Sequence, residues 1–257
     1  MRGVSFLILV MKKTNVMLGI LIVVLIASII AVNIGFEKAG ENTVSASEYI
    51  ETLSTKGKVV VIDAGHGGED PGAVSAYSGA KEKDITLFIA EKTKKLLEDG
   101  GYTVIMTRTE DVLNYDDENA SMTAKRRQDL IKRKKIMDES NADIVISIHL
   151  NSFSDSQYHG AQTFYTKESL SSKKLAISLQ TALREILEPE NEREALLKKD
   201  EIIITKNCKV TTAIVECGFL SNQDEEKKLT EEAYQGKIAE SIKAGVDNYF
   251  TVIAPKE

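Results

Sequence analysis

The longest apolar run lies near the start of the chain, where Val16 to Val32 carries no charge, with Lys12 and Lys13 before it and Glu37 after it. Crossing a bilayer takes roughly 17 to 25 mostly apolar residues. Basic residues ahead of such a run put the N-terminus in the cytoplasm and the remainder outside. Residues 16–36 are therefore expected to form a transmembrane anchor behind a cytoplasmic segment, 1–15. Secretory h-regions are shorter, so retention is expected over cleavage near Val44-Ser45-Ala46, which would release a secreted protein. An ordinary n-region would begin at Met11, which makes Met11 an alternative start to Met1. Residues 37–57 are polar and unperiodic, as a tether between membrane and domain should be.

From Lys58 onward the pattern alternates. KVVVID (58–63) and DIVISIHL (143–150) are continuous β-branched runs of the kind buried in parallel sheets. YTVIMTR (102–108), AQTFYT (161–166), EIIIT (201–205) and TTAIVECG (211–218) give further strands. Helices are expected from Asp84, as cap, to about Asp99, over Thr123–Glu139, over Ser169–Leu187 and over Glu231–Tyr249. EPENEREALLKK is charged enough for a surface loop or a loosely attached helix. Strands alternating with helices over 58–252 predict one α/β domain, its sheet mixed or mostly parallel with helices on both faces.

Charge and cysteine content narrow the partners. A formal net charge of −6 excludes an electrostatic grip on nucleic acid, which calls for a basic surface. Cys208 and Cys217 are too few for a disulfide framework or a zinc site of their own, and are expected to be buried free thiols on neighbouring strands.

In open α/β sheets, ligands collect outside the carboxyl ends of the strands. Two of the three histidines, His66 after KVVVID and His149 at the end of IVISIH, occupy such ends and could face each other; His159 is expected on the surface. Two histidines, a carboxylate and an open fourth position form a known catalytic zinc arrangement. Candidates for the carboxylate are Asp63, Glu69, Asp70, Glu82 and Asp84. Glu82 closes the glycine-rich loop that starts at His66 and could return over the same strand end, although an exposed helix-start carboxylate would look the same. Glu216 interrupts the apolar run AIVECGF. A carboxylate there is either paired, for example with Arg108 or Lys209, or functional, because burying a bare charge is costly. Beside a metal it could act as general base and then acid.

Taken in order, IDAGHGGEDPGA, KEKD, MTRTED, SIHLNS, GAQTFYT and VECGFLSN resemble the zinc-dependent N-acetylmuramoyl-L-alanine amidases of the Amidase_3 type, and among them the germination-specific, spore-cortex members. The resemblance runs from about Val59 to Phe250. It implies a six-stranded mixed sheet, zinc held by His66, Glu82 and His149, Glu216 as general base, and Asn151 in substrate binding. The substrate implied is peptidoglycan, cut between the lactyl group of muramic acid and L-alanine, in the cortex as a step towards muramic δ-lactam. Ala64 and Thr212 stand where relatives often carry proline, and Cys217 where a hydrophobic residue is usual. A vegetative amidase, a zinc enzyme cutting another amide and a non-catalytic wall-binding protein are the alternatives. With no separate wall-binding domain in view, targeting falls to the anchor, the cleft or a regulatory protein partner.

Overall fold

The computed structural model describes residues 56–166, 169–199 and 202–253. The expected cytoplasmic segment and anchor, and nearly all of the tether, lie outside the described residues. Among the described residues no helix is long and apolar enough to cross a membrane.

Six strands, β1 (Val59–Ala64), β2 (Thr103–Met106), β3 (Ile144–Asn151), β4 (Gln162–Tyr165), β5 (Leu196–Leu197) and β6 (Thr211–Phe219), form one sheet in the order β2-β1-β3-β6-β4-β5. β4 runs antiparallel to β6; every other pairing is parallel. The helices are α1 (Glu82–Asp99), α2 (Met122–Glu139), α3 (Leu170–Leu187), α4 (Gln223–Leu229) and α5 (Glu232–Ile253).

Strand alternation explains the layers. Val60, Ile62 and Ala64 of β1, Ile144, Ile146 and Ile148 of β3, and Ala213 and Val215 of β6 point to one face, where they meet Ile85 and Ile89 of α1, Leu175 and Leu179 of α3 and Ile242 of α5. Val61 and Val145 point to the other and meet Met137 of α2 and Ile204. From β1 the chain crosses through α1 to β2 on one side. From β2 it crosses back through α2 to β3 on the other side of β1. Right-handed crossovers in opposite directions place their helices on opposite faces, and the strand order reverses at β1. That reversal opens a crevice at the carboxyl ends of β1 and β3, the usual ligand position in such sheets.

Several sequence expectations are corrected. Helix α1 starts at Glu82, so Asp84 sits in its first turn and caps nothing; the N-cap is Lys81 without a side-chain bond. EIIIT forms no strand among its described residues: 203–207 fold as turns, and Ile204 seals the smaller core face. A short apolar run does not distinguish a buried turn from a buried strand. The outer strand comes instead from Leu196–Leu197, inside the charged stretch expected to be loop, and is too short to carry a pattern. The last expected helix is two: the Asn222 side chain caps α4, and Thr230 ends it before α5 begins. Both cysteines are free, but only the fully buried Cys217 lies on a strand; Cys208 precedes β6.

Candidate active site

His66, Glu82 and His149 meet at the crevice. His149 closes β3, and its ring packs on Gly65, where an added Cβ would lie 2.4 Å from the imidazole Cε1. His66 follows β1 with φ 62°, a left-handed conformation uncommon outside glycine and typical of constrained functional positions. Glu82 opens α1, and the glycine-rich loop folds back so that Gly72, also left-handed, fits against both the Glu82 carboxylate and the His66 ring; a Cβ there would lie 2.5 Å from Glu82 Oε2.

Glu82 Oε1 is the convergence point. It lies 2.9 Å from His149 Nδ1 and 3.2 Å from His66 Nε2, and accepts from the Leu150 N–H at 3.0 Å. Oε2 accepts from the Ala73 N–H at 2.8 Å. One ligand atom from each of the three residues lies within 4.8 Å of the others, a group able to hold a metal ion. Ligands about 2.0–2.1 Å from a tetrahedral zinc would be about 3.4 Å apart, so the spacing and the two-nitrogen, one-oxygen donor set fit that metal. Burial disfavours charge on Glu82, but its hydrogen bonds to His149 and His66 outweigh this and hold the carboxyl well below its usual range. Burial likewise opposes a charged His66, yet Asp70 and Glu82 push its pKa up to about 9. The cluster therefore favours positive charge beside Glu82.

A second ring of contacts fixes these side chains. Asp70 Oδ2 lies 2.8 Å from His66 Nδ1, leaving Nε2 to face the centre, and Asp70 Oδ1 is 2.7 Å from an Arg126 guanidinium nitrogen. Beneath, Arg133 donates to the carbonyls of Ala64 and His66 at 2.5 and 2.6 Å and pairs with Asp63 and Asp129 at 3.0 and 2.6 Å. Arg108 donates to the carbonyls of Ala64, Gly65 and Lys83. Two buried guanidinium groups thus hold the turn that carries His66. A cavity of about 310 Å³ opens beside His66, Asp70, Arg126 and His149.

Glu216 is register partner to His149 on the adjacent strand, so both side chains leave the same face of the sheet. Its Oε2 is buried without a hydrogen-bond partner. The expected alternatives do not form: Arg108 is spent on backbone carbonyls, and among the described residues Glu216 makes no ion pair. Burial raises its pKa, opposed by the charge of His149 and reinforced by Glu82. A bare carboxylate of raised pKa beside a metal-binding group is suited to taking and returning a proton.

Of the sequence candidates, the structure brings His66, Glu82, His149 and Glu216 together. Asn151 ends β3 two residues beyond His149, half-buried, its Oδ1 accepting from the Ser152 N–H. Asp70 stands behind His66, Asp63 pairs with Arg133, and Glu69 pairs with Lys125. Sequence reasoning missed Arg126 and Arg133, and offered Arg108 as a partner for Glu216 where it holds backbone carbonyls. The available signal was spacing: Lys125, Asp129, Arg133 and Met137 recur every four residues and are the buried stripe of α2, charged where an apolar stripe is the usual mark.

The family model described as N-acetylmuramoyl-L-alanine amidase, Amidase_3, matches residues 60–248. The germination-specific N-acetylmuramoyl-L-alanine amidase of Bacillus subtilis is 37% identical over 202 residues, covering 78% of this chain and 83% of that protein. The CwlD amidase of Clostridioides difficile, solved in complex with the GerS lipoprotein, superposes with a TM-score of 0.74 at 43% identity, covering 76% of this chain and 99% of that one. An N-acetylmuramoyl-L-alanine amidase from Clostridium difficile 630 gives 0.66 at 30% identity over 78% and 100%.

Proposed function

The chain belongs to the N-acetylmuramoyl-L-alanine amidase family, Amidase_3, and from that premise we propose that it is a zinc-dependent hydrolase that cuts the amide between the muramic acid lactyl group and L-alanine in peptidoglycan. The observation that carries this reading is the convergence of His66 Nε2 and His149 Nδ1 on one oxygen of Glu82, with the orphan carboxylate of Glu216 in register beside His149.

In this reading His66, Glu82 and His149 would hold the zinc. A zinc held there would supply polarisation of the amide carbonyl and ionisation of water in the neutral range. Asp70 occupies His66 Nδ1 and so presents Nε2 inward. Glu216 takes a proton from the attacking water and delivers it to the alanine nitrogen as the carbon–nitrogen bond breaks, leaving a lactyl carboxylate and a free amino terminus. Asn151, at the mouth of the crevice, orients the substrate.

We assign the enzyme to the spore cortex, where removal of stem peptides precedes δ-lactam formation; the support is the likeness to a germination-specific relative. A lipoprotein-bound structural neighbour supports a protein partner for this chain as well. Residues 16–36 would anchor the chain and leave 58–252 on the outer face of the membrane.

The test is hydrolysis of purified, peptide-bearing peptidoglycan by the full chain in detergent with added zinc, beside Glu216→Gln. Release of new amino-terminal alanine by the native chain and not by the variant is the expected result. Zinc-loaded native chain that releases none, with cortex or vegetative substrate, would overturn the assignment.

A further inference from the structure

Three aromatic side chains are substantially exposed among the described residues, Tyr77 (47%), Phe153 (50%) and Tyr158 (47%), and all three gather at one place. Phe153 and Tyr158 lie on the β3–β4 loop just beyond Asn151; Tyr77 lies on the loop joining His66 to Glu82. Ser221 ties them: its carbonyl accepts from the Tyr77 hydroxyl at 3.3 Å, and its Oγ accepts from the Phe153 N–H at 3.0 Å.

The rings are pre-arranged. Tyr158 stacks over the buried Phe219 at 6.2 Å between centroids, and Phe153 stands edge-on to Tyr158 at 5.3 Å. The Arg193 guanidinium lies 4.8 Å from the Phe219 ring and donates to the His159 carbonyl at 2.6 Å. Beside Tyr158 a groove of about 410 Å³ opens, walled by Gln157, His159, Glu190, Glu192 and Arg193. The fold of that wall is fixed by the Asn191 side chain, which donates to the Ala161 carbonyl and accepts from the Arg193 N–H.

A flat ring flanked by an amide, carboxylates and a guanidinium is the chemistry that receives a sugar, whose C–H face is apolar and whose edge carries hydroxyl and acetamido groups. A protein partner would instead need roughly 800 Å² of surface with an apolar centre, whereas here the two touching rings stand in a loop that is otherwise polar, Ser152, Ser154, Asp155, Ser156 and Gln157. The patch also begins two residues beyond Asn151, at the end of the strand that carries His149, and so continues from the reaction centre.

The geometry points to a saccharide subsite: Tyr158 and Phe153, with the groove walled by Glu190 to Arg193, hold the N-acetylated amino-sugar strand of the substrate a few residues away from the bond that is cut. This rests on the amidase reading for its ligand, but its test does not depend on catalysis.

Glycan strands stripped of stem peptides are the probe, titrated calorimetrically into the full chain in detergent. Phe153→Ala and Tyr158→Ala should each weaken binding about threefold to tenfold, and the pair on the order of thirtyfold. Phe153→Tyr should keep the affinity, which separates loss of the ring from loss of fold. Unchanged affinity in the double variant, or no measurable binding by the native chain, overturns the subsite. A double variant that binds glycan normally but loses a protein partner overturns it too. Because no bond is cut, a silent hydrolysis assay beside intact glycan binding would count against the amidase reading alone.

Discussion

Arg133→Met removes a guanidinium that is only 2% exposed and serves four acceptors: Asp63, Asp129 and the carbonyls of Ala64 and His66. Methionine fills much of the stem volume but leaves two buried carboxylates without their cation. Breaking a buried pair in this way costs about 3–5 kcal/mol. For a domain of this size that is a fall in melting temperature of about 6–20 °C. Calorimetry at neutral pH reads it directly. The pH dependence is a second signature. Burial disfavours ionised Asp63, but Arg133, His149 and hydrogen bonds from Ser147 and Thr107 hold its pKa below the ordinary 3.8. A depressed carboxylate adds stability above its unfolded pKa and loses it as the pH falls through the folded one. The native chain should therefore lose this contribution only in acid below about pH 4, whereas in Arg133→Met, with burial unopposed by its cation, the loss should begin at higher pH. Asp63→Asn combined with Arg133→Met should be less destabilised than the sum of the single variants, by about 0.5–3 kcal/mol. Additive effects, or a melting temperature within about 2 °C of native, would refute the view that these charges hold each other and the His66 turn.

Gly65→Ala forces a methyl against the His149 ring and should lower zinc affinity at least about tenfold, seen by competition with a chromogenic chelator. Asp70→Ala, which frees His66 Nδ1, should weaken zinc by about 10- to 100-fold while Glu216 and the fold are untouched; unaltered affinity would show that Asp70 does not position the ring. Glu216→Gln should lower kcat by about 10²–10⁴-fold with zinc content kept. Since burial raises the Glu216 pKa, its ionised form opposes folding at neutral pH, and the same variant should melt at or above the native temperature; a clear fall would mean that Glu216 has a structural partner.

How much of this could be read from the residues depends on what each position is for. β1, β3 and β6 were legible because a strand buried on both faces carries a near-continuous apolar run rich in β-branched residues, and α1 because its apolar residues recur at helical spacing. Glu82 was legible through the loop that returns it to β1. The buried stripe of α2 was not, since its members are charged and burial by pairing leaves no mark on a hydropathy pattern. Ile202 to Ile204 misled in the opposite sense, because a buried turn needs the same apolar residues as a buried strand. Asp70 appeared among five candidate carboxylates; only the folded loop separates a group that faces the centre from one that orients a histidine. Of the aromatic cluster, Phe153, Tyr158 and Tyr77 are isolated polar-loop residues until Ser221 brings the loops together.

The reversal of strand order at β1 has a consequence for how such a protein can change. His66, His149 and Glu216 depend on three neighbouring central strands, β1, β3 and β6, which are locked on both faces and tolerate little. The tip of the loop after β1, 76–79, the loop after β3, 152–160, and the turn at 190–193 are outside that frame. Insertions there can redraw what the crevice admits while His66, Glu82, His149 and Glu216 keep their spacing, so diversification among descendants of this chain should be concentrated in those three segments and nearly absent from the strand ends they surround.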